Sequence, residues 1–331
     1  MESCVSRSDG LAQPRVYTLI MHFLTFIEVP FHVYGAICIL LRTPAQMKSV
    51  KWHLLSLHSC SSFLDLLTSF IAIPYIFLPT LSGYALGVLG TPALDVFLIL
   101  VTMSNIAFVT LLIVENRYFV LFGRNENVWW CHVRKPFLLV NLIAAQIFFI
   151  PPYFDIPDQE SAVAKLSMVL GCKPEPIYEG SELLVLSLGS LPYYCLVFII
   201  TLQTLEVTTL FIIIFWKLSL RDRKLSSVSH KTNILQKKFA AALTVQLSVP
   251  LLLLILPSCY NLFSIQFNYH NQSLNNLGFI LFSTHGIFST IVMVLVHQPY
   301  RAATIHPILR FFGFQHRAPK MITSVFHGRS T

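Results

Sequence analysis

Residues 93–118 read ALDVFLILVTMSNIAFVTLLIVENRY. Between positions 96 and 114 no side chain carries a charge, and the run closes on Glu115-Asn116-Arg117-Tyr118. An α-helix rises about 1.5 Å per residue, so roughly 20 apolar residues cross the hydrocarbon of a bilayer. Lipid offers backbone N–H and C=O groups no partner, which leaves the helix, with every bond internal, as the form such a stretch takes in a membrane. The stretch therefore predicts a membrane-spanning helix that ends in a charged cluster at one face.

The remainder of the chain repeats this pattern. Apolar stretches of spanning length run over 17–41, 53–78, 93–114, 136–155, 191–216, 239–265 and 274–296, seven in all. Of the 331 residues 55% are hydrophobic and only 11% charged, with a mean hydropathy of +0.67. Soluble domains carry about 25% charged residues, so a water-facing shell for a core this large is missing. The same figures exclude a disordered chain, seven Cys are too few for a disulfide scaffold, and 13 Gly without a Gly-X-Y period exclude collagen. The expected fold is an all-α membrane protein, a seven-transmembrane helix bundle. It divides into an extracellular N-terminus at 1–16, the membrane domain at 17–296 and a cytosolic tail at 297–331. In the tail, 299–314 reads as an interfacial helix, kinked or split at Pro307. The first apolar stretch has full spanning length, so no cleaved signal peptide is expected.

Orientation follows from where the basic residues fall. Nineteen of the 23 Lys and Arg lie on the side that holds the 42–51, 117–135 and 217–238 connections and the tail, and four lie on the other. Positive charge marks the cytosolic face, so the N-terminus is outside and the C-terminus in the cytosol. The net charge of +8 comes in bursts between apolar stretches, not as a basic surface interleaved with aromatics, so nucleic acid is not an expected partner and the lipid bilayer is. The sequon Asn271-Gln272-Ser273 falls in an outer loop by this count, which makes Asn271 a glycosylation candidate.

Seven helices with this polarity suit a receptor that takes an external ligand and engages a cytosolic partner. A ligand-gated channel or small-molecule transporter is the rival. Transporters are commonly built from paired repeats, and seven spans do not divide into matching halves. No Gly-x-Ser-x-Gly, His-Glu-x-x-His or Cys-x-x-Cys is present, so no catalytic residue, metal or cofactor is expected. His53 and His58, five apart on different helix faces, read as interfacial anchors.

Several motifs stand in order between residues 43 and 301: TPAQMKSVKW at 43–52, Leu57-His58, Leu64-Asp65-Leu66, ENRY at 115–118, FFIPPY at 148–153 followed by IPDQ, and HQPYR at 297–301. Together they resemble the nematode serpentine chemoreceptors of class h, with the sister class i close by. The resemblance implies a chemosensory G-protein-coupled receptor acting in olfaction, with an unknown small-molecule ligand and a heterotrimeric G protein as partners. It implies the plasma membrane, in sensory neuron cilia, as the location. It also implies G-protein coupling by Glu115, Asn116, Arg117 and Tyr118, and a polar hub at Asp65. The rhodopsin pattern is not followed closely. Span seven lacks Asn-Pro-x-x-Tyr, span six offers Leu256-Pro257-Ser258-Cys259, and no Cys stands at the outer start of span three.

Two readings remain open at most of these positions. Arg117 is either held by Glu115 and released to meet a G protein, or a snorkelling interfacial anchor. Asp65, midway along span two, must face polar groups such as Asn105, Ser283 or His285, because an ionised carboxylate in hydrocarbon costs several kcal/mol. It is either a switching hub or a structural hydrogen-bonding residue. Glu28 and Glu206 are ligand-binding or structurally paired carboxylates, while Asp95, near the outer start of span three, reads as solvated. Pro250 and Pro257 in span six make a hinge or a static kink. The acidic 156–190 connection reads as a solvated loop or a lid. Its Cys172 is a candidate disulfide partner for Cys4, the other five cysteines being free thiols. The ligand is expected in the outer half of the bundle.

Overall fold

The structure, a computed structural model, describes residues 10–43, 48–123, 128–147, 150, 154, 156–173, 176–177, 181–187, 191–223 and 230–311. In chain order these form α1 (Pro14–Arg42), α2 (Lys48–Leu66), β1 (Pro74–Phe77), β2 (Leu81–Ala85), α3 (Pro92–Tyr118), α4 (Val128–Ile147) and α5 (Gln159–Leu170). They continue with β3 (Leu183–Ser187), α6 (Leu191–Arg223), α7 (His230–Phe267), α8 (Gln272–Val296) and α9 (Gln298–Phe311). Among the described residues six helical stretches are long and apolar enough to cross a membrane: Pro14–Arg42, Val50–Ile71, Pro92–Phe122, Val197–Leu220, Gln236–Phe267 and Gln272–Val296. The chain is thus a multi-pass α-helical membrane bundle. The expected fourth span, 136–155, is helical up to Ile147, and most of its outer end lies outside the described residues.

The outward surface fits lipid. On α1, Leu19, Phe23, Phe26, Val29, Val33, Ile37 and Leu41 recur at three- to four-residue intervals and all are exposed, Phe26 at 78%. In water a stripe of this size is an association face, whereas acyl chains cover it at no cost. The inward stripe of the same helix, Tyr17, Met21, Glu28, His32, Gly35 and Ile39, is buried.

Span two ends sooner than the hydropathy implies. α2 runs on through a π-helical turn, Leu67–Ile71, and Ile73 then takes φ 41°, breaking the helix before Pro74. Pro74 has no N–H and opens a strand instead. The apolar residues after it are buried in protein, not lipid: Tyr75 and Phe77 are fully covered. β1 pairs antiparallel with β2 and β2 with β3, giving a small sheet across the end of the bundle that holds the N-terminus of α1. Tyr75 Oη donates to the Ala12 carbonyl (2.7 Å), Tyr17 Oη to Pro74 O (3.0 Å), and Gln272 Nε2 and Asn275 Nδ2 both reach Ile76 O (3.2 and 3.1 Å). The sheet is thereby pinned to α1 and α8.

The described part of the acidic connection is a helix and a strand. Asp158 caps α5 by accepting from Ser161 N (3.1 Å), and Gly171 ends it at φ 68°. Gln159 then stands in for a strand neighbour, accepting from Val185 N (2.8 Å) and donating to Val185 O (3.1 Å). The expected tail helix is present over Gln298–Phe311 and is not split. α9 runs unbroken through Pro307, which removes only one ladder bond, and residues 312–314 lie outside the described residues. α7 likewise carries Pro250 and Pro257 within one continuous helix.

Candidate functional site

Two polar constructions lie along the bundle axis. At mid-depth, Asp65 of α2 is fully buried and faces α8 and α1. Its Oδ1 lies 2.6 Å from His285 Nδ1 and accepts from Gly286 N at 3.2 Å, while Oδ2 stands 3.3 Å from His32 Nε2. His58, two helical turns before Asp65, is buried and its Nε2 meets the His32 carbonyl oxygen at 2.8 Å. It is not the interfacial anchor its spacing suggested. Glu28, one turn before His32, accepts from Ser69 Oγ (2.7 Å). Of the partners expected for Asp65 only His285 is present. Asn105 accepts from Gln146 Nε2 on α4 (2.9 Å), and Ser283 donates to the Ile280 carbonyl of its own helix (3.0 Å). His32 went unread, although its place four residues after Glu28 puts two titratable groups on one face of an apolar helix.

At the end of the bundle that holds the C-terminus of α3, Glu115 does not hold Arg117. Residues two apart on a helix point to different faces. Glu115 faces α4, where Arg134 Nη2 and Nε (2.8 and 3.1 Å) and Trp130 Nε1 (2.9 Å) all donate to it. Glu115 is fully buried and the Arg134 guanidinium also lies 3.8 Å from the Phe119 ring centre. Arg117 faces α7, its guanidinium 4.4 Å from the ring centre of Phe239, with no hydrogen bond to Nε among the described residues. Tyr118 is buried, with Lys217 of α6 over its ring at 5.4 Å, and Asn116 is half-buried. Trp130 and Arg134 sit four apart on α4, a signal that locates both partners of Glu115 on one helix face. Nearby, His297 Nε2 donates to Gln246 Oε1 of α7 at 2.6 Å. Burial pushes the His297 imidazole down to about 4, so it is neutral near pH 7.

Between these two constructions lies a cavity of about 790 Å³ among α3, α6 and α7. It is lined from positions 100–110 of α3, 199–208 of α6 and 251–258 of α7. A smaller one of about 400 Å³ adjoins it, sharing Met103, Ala107, Thr110, Leu251 and Leu254, and reaches both His285 and Gln246. A third, about 450 Å³, lies under the sheet and is lined by Asp95, which is buried at 2% exposure and not solvated as expected. Glu206 accepts from Asn141 of α4 (3.3 Å). Asn271 caps α8, its Oδ1 accepting from Leu274 N (3.1 Å). Cys172 is disulfide-bonded and Cys38, Cys60, Cys131, Cys195 and Cys259 are free; Cys4 lies outside the described residues.

The fold is similar to that of squid rhodopsin, with a TM-score of 0.53, 11% identity and coverage of 90% of this chain and 87% of that one. Over residues 12–310 the chain matches the family described as serpentine type 7TM GPCR chemoreceptor Srh, and it belongs to that family. It is similar to serpentine receptor class H-72 of Caenorhabditis elegans, 26% identical over 291 residues, which is 83% of this chain and 80% of the relative. The chain is therefore a chemosensory receptor of the G-protein-coupled type, embedded in a membrane and not an enzyme.

Proposed function

We propose that the chain spans the membrane seven times, N-terminus outside, and converts binding of a small external molecule into activation of a heterotrimeric G protein at its cytosolic face. In this reading α4 and the residues after it make the fourth crossing, and the 19-to-4 split of basic residues sets the orientation. The location is the plasma membrane, in sensory neuron cilia as the family resemblance implies. Asn271 carries a glycan and Cys172 pairs with Cys4 on the outer side.

The observation that carries the coupling claim is Arg117 resting on Phe239 of α7 while Glu115 is occupied by Arg134. An Arg bound by a carboxylate needs that ion pair broken before it can turn, whereas a face-on ring contact contributes only about 0.5–2 kcal/mol. Outward movement of the cytosolic half of α7, pivoting near Pro250 or Pro257, takes Phe239 away and frees Arg117. The same movement parts Gln246 from His297. The smaller cavity touches Gln246 and His285 together, so a ligand-driven shift of α7 there bears on both the His297 contact and the Asp65 hub. Glu28 and Glu206, each held by a neighbouring helix, are structural in this scheme.

Phe239→Ala tests it without a ligand. In membranes from cells expressing the receptor with a G protein, this variant raises basal nucleotide exchange, and adding Arg117→Ala at equal surface expression removes the rise. A rise that survives Arg117→Ala takes Arg117 out of coupling.

A further inference from the structure

The mid-depth cavity has a composition that selects its occupant. Its walls are aliphatic side chains with a few hydroxyls and one amide, and no charged residue lines it. A permanently charged ligand would lose its hydration there without a counter-charge, which costs several kcal/mol or more. Two polar groups break the apolar wall: Ser104 of α3 at 4% exposure and Gln203 of α6 at 6%. The other buried hydroxyls at the cavity are satisfied by their own helices, Thr110 on Ile106 O (2.8 Å) and Ser258 on Leu254 O (2.8 Å). Ser104 and Gln203 bring a hydroxyl and an amide to the same wall.

Thr204 and Thr208 line the cavity and are exposed on the lipid side of the bundle. The cavity therefore opens sideways, at the depth of the acyl chains.

We infer that this cavity binds a neutral, largely aliphatic molecule bearing one hydrogen-bonding group, such as an alcohol or ketone, which first dissolves in the bilayer and enters past Thr204 and Thr208. Ser104 and Gln203 read the polar group, and the aliphatic walls take the tail. The inference deepens the receptor reading by naming the ligand class, but binding is measured apart from signalling.

The test is photolabelling of the full chain in lipid nanodiscs with an alkyl-diazirine alcohol, followed by mass spectrometry of the adducts. The expected adducts fall on the segments around Ser104, Gln203 and Leu254, and excess 1-octanol displaces them. Gln203→Leu, which keeps the volume, weakens saturable labelling about ten-fold, the size expected for one lost hydrogen bond to a buried group. Ala107→Phe, which fills the cavity, abolishes labelling, and Thr204→Trp slows it several-fold at unchanged saturation. Adducts confined to lipid-facing residues, or labelling indifferent to Gln203→Leu and to 1-octanol, overturn the site. An equal rate in Thr204→Trp overturns the lipid route. Displacement by an alkyl ammonium as strong as by 1-octanol overturns the neutral class and points instead to Asp95. The octanol competition in the unmodified chain decides the site even if a variant fails to fold. Saturable binding without any G-protein response would leave this site standing and sink the coupling proposal instead.

Discussion

Gly286 is a glycine because Asp65 is where it is. A methyl added there would collide with Asp65 Oδ2 and press on Cγ at 2.9 Å, whereas one at Gly278 on the same helix would meet only Pro257 Cβ at 3.6 Å. Gly286→Ala is expected to push the carboxylate off His285 and cost about 1–3 kcal/mol, read as a lower Tm of the solubilised protein. Gly278→Ala, which removes backbone freedom in a helix at no steric cost, should be neutral or mildly stabilising. Equal Tm values for the two variants would mean the Asp65 node is not closely packed. A second residue carries two readings at once. Asn271 caps α8, so Asn271→Ala should cost about 1 kcal/mol while Asn271→Asp keeps the cap. Ser273→Ala keeps the cap and removes the sequon, so loss of a glycosidase-sensitive mobility shift in that variant isolates the glycan. The charged motif at 115–118 was visible in the sequence, but its pairing was not. Adjacency in sequence suggested Glu115 with Arg117, and helical geometry gives each a different neighbouring helix.

Among the elements, the six apolar helices were legible because nothing but a spanning helix accommodates such runs. What hydropathy does not separate is an apolar segment buried in lipid from one buried in protein. Residues 72–78 look like the end of span two and are in fact the beginning of a sheet, with Tyr75 and Phe77 under the outer connections. Pro74 was the warning, since a proline just past a helix end fits strand or turn as well as kink. The contact between α7 and α8 makes a pH-dependent prediction. The His297 imidazole sits at about 4 against an ordinary 6.5, because burial disfavours its charged form. An opened or unfolded state binds the proton more readily, so the contact is intact above pH 6.5 and is lost progressively as pH falls towards 4. Tm should drop across that window, and His297→Gln should flatten part of the slope. A slope unchanged in the variant would assign it to other groups.

For the molecule as a whole, charge scarcity identified the solvent, and charge placement is the ground for the proposed direction. The cavity was illegible, because which faces of α3, α6 and α7 converge depends on helix rotations that composition does not fix. The central claim is that ligand binding within the bundle is transmitted to a G protein on the basic face. The most direct measurement places the receptor in cells with a heterotrimeric G protein carrying a dissociation reporter and applies a panel of neutral aliphatic alcohols and ketones. The account expects at least one to drive Gα from Gβγ in receptor-expressing cells only, with no response from Arg117→Ala at matched surface expression. A ligand-evoked membrane current that persists when G-protein signalling is blocked, with no Gα–Gβγ dissociation, would contradict it and make the chain a channel.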